Sequence, residues 1–295
     1  MESANKYFLS HDEPRLDPQK LDAIIRHALI EDIGKGDITT QLTIPKNTLI
    51  KAEIICKEDF VVCGFEVFER IFKTVDKKIK FYPKVKEGQA VKKGKIIARI
   101  EGKASSILSA ERVGLNLLSL LSGVATKTRE FVKKIAPYKV RITDTRKTFP
   151  GLRDLQKYAV RIGGGFNHRM ALDEMIIIKD NHLQVTGGYI QLPKVPKGFK
   201  IEIEVQNLSE FIHALRFKPD VIMLDNMSLI DIKKAVKIRN NTVFNSHHPR
   251  TKLEASGGVD IKSLRQIAAA GVEIVSIGEL THSVRSVDIS LEVIK

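Results

Sequence analysis

Residues 143–182 read TDTRKTFPGLRDLQKYAVRIGGGFNHRMALDEMIIIKDNH. A helical pattern over Leu152–Ile162 lies between a strand ending at Thr143 and an apolar run, Met175–Ile178. Strand, helix and strand in that order make a parallel βα unit. Arg146, Lys147, His168, Arg169, Lys179 and His182 follow neither period and sit at strand edges and in glycine loops. A solvated helical face would interleave such cations with acids at helical spacing. Loops on a rigid scaffold are where sites are built, so the stretch reads as a pocket for an anionic small molecule.

The same alternation continues outward. Strands are predicted at Val140–Thr143, Met175–Ile178, Ile201–Val205, Val221–Leu224 and Glu273–Ile277. Helices are predicted at Leu152–Ile162, Leu208–Phe217, Leu229–Ile238 and Ile261–Ala269. Such a repeat implies a parallel sheet or barrel buried on both faces. No GxGxxG or Walker loop follows the first strand, which argues against a dinucleotide fold. In βα barrels the chemistry sits at the C-terminal strand ends. Those ends offer Asp144, Arg146 and Lys147; then Lys179, Asp180 and His182; then Glu202 and Glu204; then Asp225 and Asn226.

Ser256, Gly257 and Gly258, expected to run into a helix, suit a phosphate, because helix N-termini and free N–H groups favour anions. Gly278 lies in the next loop. Glu204 and Asp225 close internal strands without an adjacent basic residue, and suit Mg²⁺ or ribose hydroxyls. Cations, a phosphate loop and two carboxylates together suggest a sugar phosphate or pyrophosphate substrate.

Before residue 119 the pattern differs. Asp17 and Pro18 open a helix whose face is Leu21, Ile24, Ile25, Ala28 and Leu29. The segment EDIGKGDITT loops at Gly34 and Gly36, and Asp37, Thr39 and Thr40 are expected to pin a neighbour. Short β runs (Ala52–Cys56, Phe60–Cys63, Lys95–Ile100) flank a helix at Phe65–Val75. The run VKEGQAVKKGKIIARIEG is similar to a lipoyl- or biotin-carrier hairpin, but Lys92 and Lys93 lack a carrier's flanking residues, so a structural β-sandwich-like module is expected. A long helix then runs from Ser105 or Ser106 to Ser122. Its small polar stripe, Ser109, Arg112, Asn116 and Ser119, points to a site or a partner subunit.

The chain has 295 residues, a formal net charge of +14 and an apolar fraction of 43%, enough for a sizeable core. The basic excess raises nucleic acid, an acidic membrane surface or polyanionic substrates as partners. Sparse aromatic residues among the lysines count against single-strand binding. Cys56 and Cys63 have neither zinc nor redox spacing and are expected as buried thiols in a reducing compartment. No secretory signal and no run of roughly 18 apolar residues are visible, so a soluble cytoplasmic protein is expected.

The segments EDIGKGDITT, SAERVGLNLL, TDTRKTFPGLR, GGGFNHR, IKDNH, IEIEV, LDN, EASGG and SIGELTHS together closely resemble the quinolinate phosphoribosyltransferase family, also called nicotinate-nucleotide pyrophosphorylase (carboxylating). The resemblance covers most of the chain. It implies an α/β architecture: an N-terminal α/β sandwich domain over 1–118, joined by 284–295, and an incomplete βα barrel of parallel strands over 119–283. It implies a homodimer, possibly within a higher oligomer, in which Arg112 is lent to the neighbour's site. Quinolinate and phosphoribosyl pyrophosphate are the implied substrates, with Mg²⁺ as cofactor and no nucleic-acid or membrane partner. Arg146, His168 and Arg169 look like the clamp on the two quinolinate carboxylates. Lys147 and Lys179 resemble lysines near the reacting ribose and pyrophosphate. Glu204 and Asp225 match an acidic pair serving Mg²⁺ and ribose, and Ser256, Gly257, Gly258 and Gly278 match a 5-phosphate cradle. His282 matches a histidine near the site. The connection after His182, with Gly187, Gly188, Pro193 and Pro196, is shorter and poorer in helix signals than the family pattern; NSHHPR (245–250) has no assigned role and reads as a surface loop.

The rival readings are a paralogue using another acceptor, a Lys179 Schiff-base aldolase, and nucleic-acid binding through the basic excess.

Overall fold

The computed structural model describes residues 10, 12, 14–187, 195, 198–242 and 251–294. NSHHPR and Gly188, Pro193 and Pro196 of the short connection therefore lie outside the described residues. The chain forms two compact units, one of Glu13–Arg129, Phe149–Gly164 and Leu280–Lys295, the other of Met1–Asp12, Glu130–Thr148 and Gly165–Glu279.

The first unit begins with α1 (Pro18–Ile33), where Asp17 accepts the N–H groups of Gln19 at 2.8 Å and Lys20 at 3.1 Å. Leu21, Ile25 and Leu29 are its buried face. In α2 (Ile38–Thr43), Asp37 accepts from Thr40 N–H at 2.9 Å and from Ser109 Oγ at 3.1 Å, the pinning role expected of it. Strands β1 (Leu49–Cys56), β3 (Lys80–Pro83) and β5 (Ile96–Lys103) join the last strand, β12 (Ile289–Ile294), in an antiparallel sheet of order β12-β1-β5-β3. A two-stranded ribbon pairs β2 (Phe60–Val61) with β4 (Ala90–Val91).

Helix α3 (Phe65–Val75) starts at Gly64, φ +110°, whose N–H reaches Glu87 Oε1 at 2.6 Å. A side chain at Gly64 would also meet Leu121 Cδ1 at 2.9 Å, so the turn demands glycine. Cys56 and Cys63 are buried free thiols. The predicted Ser105–Ser122 helix is α4 and extends further, from Ala104 to Lys134, so the expected cut at 118/119 falls inside one continuous helix. Contrary to the sequence expectation, α4 is long and apolar enough to cross a membrane, yet 67% of that window is buried inside the chain, as suits a core helix. Helix α5 (Arg153–Ile162) completes this unit's larger elements.

In the second unit six parallel strands stand in the order β6-β11-β10-β9-β8-β7. They are β6 (Arg141–Thr143), β7 (Ile176–Ile178), β8 (Ile201–Val205), β9 (Val221–Asp225), β10 (Lys252–Ser256) and β11 (Ile274–Ser276). The helices are α6 (Asp180–Val185), α7 (Leu208–Leu215), α8 (Leu229–Asn241), α9 (Leu264–Ala270) and α10 (Glu279–His282), whose last three residues fall in the first unit. Registered partners share a sheet face. Ile177 pairs with Glu202, Glu202 with Val221, Glu254 with both Met223 and Ile274, and Ser276 with Thr143. Met175, Ile177, Val221 and Ile274 form one buried cluster with Phe166 against it, although β7 and β11 are far apart in strand order. The sheet therefore curls around that face, as an incomplete barrel must. Its other face buries Ile203, Leu224, Leu253 and Val275.

Arg239 of α8 is 1% exposed and ties the end of its helix to the sheet. Its Nη1 donates to Thr251 O at 3.0 Å and Glu273 Oε1 at 2.9 Å. Removing one partner of such a network is costly, although Glu273 keeps some solvent. Arg239→Ala is expected to lower the unfolding free energy by about 3 kcal/mol, read from urea denaturation; a loss indistinguishable from a surface substitution would show that the network carries no stability.

Candidate active site

The C-terminal strand ends of the second unit gather most of the expected residues. Asp144, fully buried after β6, sets the loop that follows Gly165: its carboxylate accepts from Asn167 Nδ2 at 2.5 Å and from His168 N–H at 3.0 Å. That fixes His168 and Arg169, each 5% exposed. Arg169 Nη1 donates to Met175 O at 2.7 Å. Burial first, and next the charge of Arg146, hold the Arg169 guanidinium below its ordinary pKa. A guanidinium that feels a second positive charge suits a multiply negative ligand.

On β7's exit, Lys179 places its ammonium on Glu204 Oε2, and its N–H donates to His182 Nδ1 at 3.0 Å. Glu204 is buried on β8. Asp225 ends β9, where Asn226 Nδ2 donates to its Oδ2 at 2.9 Å. Lys147 is exposed after β6, and Thr145 Oγ1 accepts its N–H at 3.0 Å.

The Ser256–Gly258 loop differs from expectation in one respect. It does not open a helix directly, because α9 begins only at Leu264. The anion-binding case therefore rests on the turn itself. Gly257 and Gly258 have φ of +80° and +60°, and Asn226 has φ +53°. Asn226 N–H donates to Ser256 O at 2.9 Å. A Cβ on Gly257 would lie 2.4 Å from Asn226 Oδ1, so two strand-end loops meet with room for no side chain. Gly278 follows β11, where Ile277 N–H donates to Thr143 O at 2.9 Å.

Arg112 and His282 belong to the other compact unit. Arg112 lines a cavity of about 240 Å³ with Asn116, Ser119 and residues 286–289. The exposed His282 has Nδ1 2.7 Å from Ser283 Oγ.

Three buried groups stand out that the sequence reading did not assign to a shared role. His168 Nε2 lies 3.1 Å from Glu202 Oε2 and 3.5 Å from Glu254 Oε2. Both glutamates are fully buried. The only sequence signal for them was Glu at alternate positions of β8 and inside β10, pointing to the sheet's curled face.

The family's two domain models match nearly the whole chain: "Quinolinate phosphoribosyl transferase, N-terminal domain" over 37–122 and the "C-terminal domain" over 124–292. The chain belongs to the quinolinate phosphoribosyltransferase family. Among curated relatives, a probable nicotinate-nucleotide pyrophosphorylase (carboxylating) of Bacillus subtilis is 38% identical, covering 93% of each chain. The Methanocaldococcus jannaschii counterpart is 41% identical over 92% of this chain and 96% of its own. Among solved structures, the Francisella tularensis nicotinate-nucleotide pyrophosphorylase superposes with TM-score 0.87 at 37% identity, covering 97% of this chain and 100% of that one. The α/β architecture with an incomplete barrel is thus that of the quinolinate phosphoribosyltransferase family.

Gly257→Ala puts a methyl group into Asn226 and strains a left-handed turn. It is expected to raise KM for phosphoribosyl pyrophosphate on the order of tenfold with only a small change in Tm, a positive-φ alanine costing about 1–2 kcal/mol. An unchanged KM would remove this loop from the phosphate site.

Proposed function

We propose that Arg146 and Arg169 clamp the quinolinate carboxylates, and that Lys147, Lys179 and the Ser256–Gly258 turn hold phosphoribosyl pyrophosphate. The activity itself is that of the family: phosphoribose passes to quinolinate with decarboxylation, giving nicotinate mononucleotide, carbon dioxide and pyrophosphate for NAD biosynthesis. The observation that carries the residue assignment is Arg169, 5% exposed in the loop that Asp144 fixes and within electrostatic reach of Arg146. Such a pair is stabilised by a dianion, and guanidinium grips carboxylate in bidentate fashion.

The chemistry needs placed charge more than a covalent nucleophile. As pyrophosphate departs, C1 of the ribose gains oxocarbenium character and the leaving oxygens gain charge. Lys147 and Lys179 supply fixed positive charge for those oxygens. The quinolinate nitrogen attacks C1 and becomes cationic. Loss of the adjacent 2-carboxylate then leaves its electron pair beside a positive nitrogen, and a proton replaces the carbon dioxide.

Glu204 and Asp225 fit Mg²⁺ as oxygen donors at neighbouring strand ends. Lys179 takes one oxygen of Glu204, and Asn226 one of Asp225, which leaves the second oxygen of each for a hard cation shared with diphosphate. Bound there, Mg²⁺ would neutralise charge on the departing pyrophosphate. Asp225 also suits a ribose hydroxyl. We assign Gly278 to the 5-phosphate cradle, following the family pattern. Arg112, on the small polar stripe of α4, is assigned to a second copy's site within a homodimer. Cytoplasmic placement is supported by the two buried free thiols, which suit a reducing compartment.

Carbon dioxide and pyrophosphate released from quinolinate plus phosphoribosyl pyrophosphate are the direct measure of the reaction. Arg146→Ala and Arg169→Ala are each expected to lower kcat/KM for quinolinate by roughly 100-fold or more while circular dichroism stays unchanged; near-wild-type values would break the clamp assignment. Mixed Arg112→Ala and Lys147→Ala chains are expected to regain activity as heterodimers. Heterodimers that form yet stay inactive would show that Arg112 serves no neighbouring site.

A further inference from the structure

We infer that Glu202 and Glu254 are positioning residues that lock His168, and through its chain neighbour Arg169, one arm of the quinolinate clamp. This rests on the quinolinate reading above and deepens it. His168 is held at three points. Its backbone N–H donates to Asp144 at 3.0 Å, and its Nδ1 accepts the Arg169 N–H at 2.9 Å. Its Nε2 faces Glu202 at 3.1 Å and Glu254 at 3.5 Å.

Behind Glu254 a hydrogen-bonded line crosses the sheet: Ser276 Oγ donates to Glu254 Oε1 at 2.5 Å, and Ser276 Oγ lies 2.6 Å from Thr143 Oγ1. Thus β6, β11, β10 and β8 all contribute to placing one imidazole. Glu202 is 0% exposed, and a buried carboxylate with no partner would be costly; the His168 ring is the group that meets it.

The same three side chains have the composition of a metal site, and the geometry decides between the readings. A ring that accepts a backbone N–H on Nδ1 carries its hydrogen on Nε2, the nitrogen that faces both carboxylates. Nε2–H is a donor to oxygen and has no lone pair for a cation. The cluster is therefore a strut behind the clamp. Of the expected clamp residues His168 is the one whose ring points into the sheet's polar interior.

Titration calorimetry with quinolinate, and separately with phosphoribosyl pyrophosphate, tests this on the full chain. Glu202→Leu is expected to weaken quinolinate roughly tenfold to a hundredfold, the range for residues that orient a ligand-binding group from behind, and to leave phosphoribosyl pyrophosphate unchanged. Glu202→Gln keeps an acceptor oxygen and is expected to recover most of the affinity. Glu254→Gln serves as the second variant if Glu202→Leu fails to fold. Wild-type quinolinate affinity in Glu202→Leu, equal weakening of both substrates, or a stoichiometric transition metal that Glu254→Gln releases would each overturn the proposal. A wild type that binds no quinolinate would remove the functional reading instead. The His168 Nε2 proton signal in ¹⁵N-histidine spectra then still judges the strut: present in wild type and lost in Glu202→Leu supports it, unaffected sinks it.

Discussion

Two-residue alternation along six registered parallel strands is the constraint from which the second unit's chemistry follows. Because Glu202, Glu204, Met223, Asp225, Glu254, Ser256 and Ser276 share one face, the curl of the sheet brings their side chains toward a common interior. On the same face Ile177, Val221 and Ile274 cluster with Phe166 against them. Glu202 and Glu254 stand in register with these apolar residues. A one-residue slip of β8 would turn both of its glutamates outward and replace them with isoleucines. The apolar packing thus sets the register that turns Glu202 and Glu254 to the same face.

Charge then has to be matched within a volume that water barely enters. Burial raises the Glu202 carboxyl first, and the Glu254 charge raises it further, while His168 draws it back. Against the cost of burial, the two glutamates favour a hydrogen on Nε2 of His168, the nitrogen that faces them. The Arg169 N–H on Nδ1 confines the ring's proton to Nε2. Arg169 is lowered by burial first and by the charge of Arg146 next, with Glu202 and Glu174 opposing them.

The sequence displayed the apolar half of this arrangement better than the polar half. Strands such as Val221–Asp225 and helices such as Phe65–Val75 carry continuous or amphipathic apolar signals and were legible. β10, LysLeuGluAlaSer, was not, because its curled face presents Lys252, Glu254 and Ser256 and leaves no apolar run. Helix α4 looked finished at Ser122, since Gly123, Lys127 and Arg129 mimic a stop; Gly123 instead admits the backbone near Arg285, whose O would lie 2.3 Å from an added Cβ. Glu204 was legible as a site residue because it lies beside the strand end. Glu202 was legible beside it but its role was not, since nothing local reveals that its partner is a histidine 34 positions earlier in the chain. The loop at Gly257 was legible as a turn, while its distance from α9 was not.

One consequence of the antiparallel sheet concerns how the molecule is made. β1 pairs with β12, Ala52 opposite Val293 and Cys56 opposite Ile289, across almost the entire chain. During synthesis β1 therefore leaves the ribosome with one edge bare and stays so until β12 emerges. Such non-local closure slows folding and leaves an open strand available for wrong pairings. Lys51 on that strand, with Lys57 just beyond it, is a charge of the kind that guards a waiting strand against a stranger.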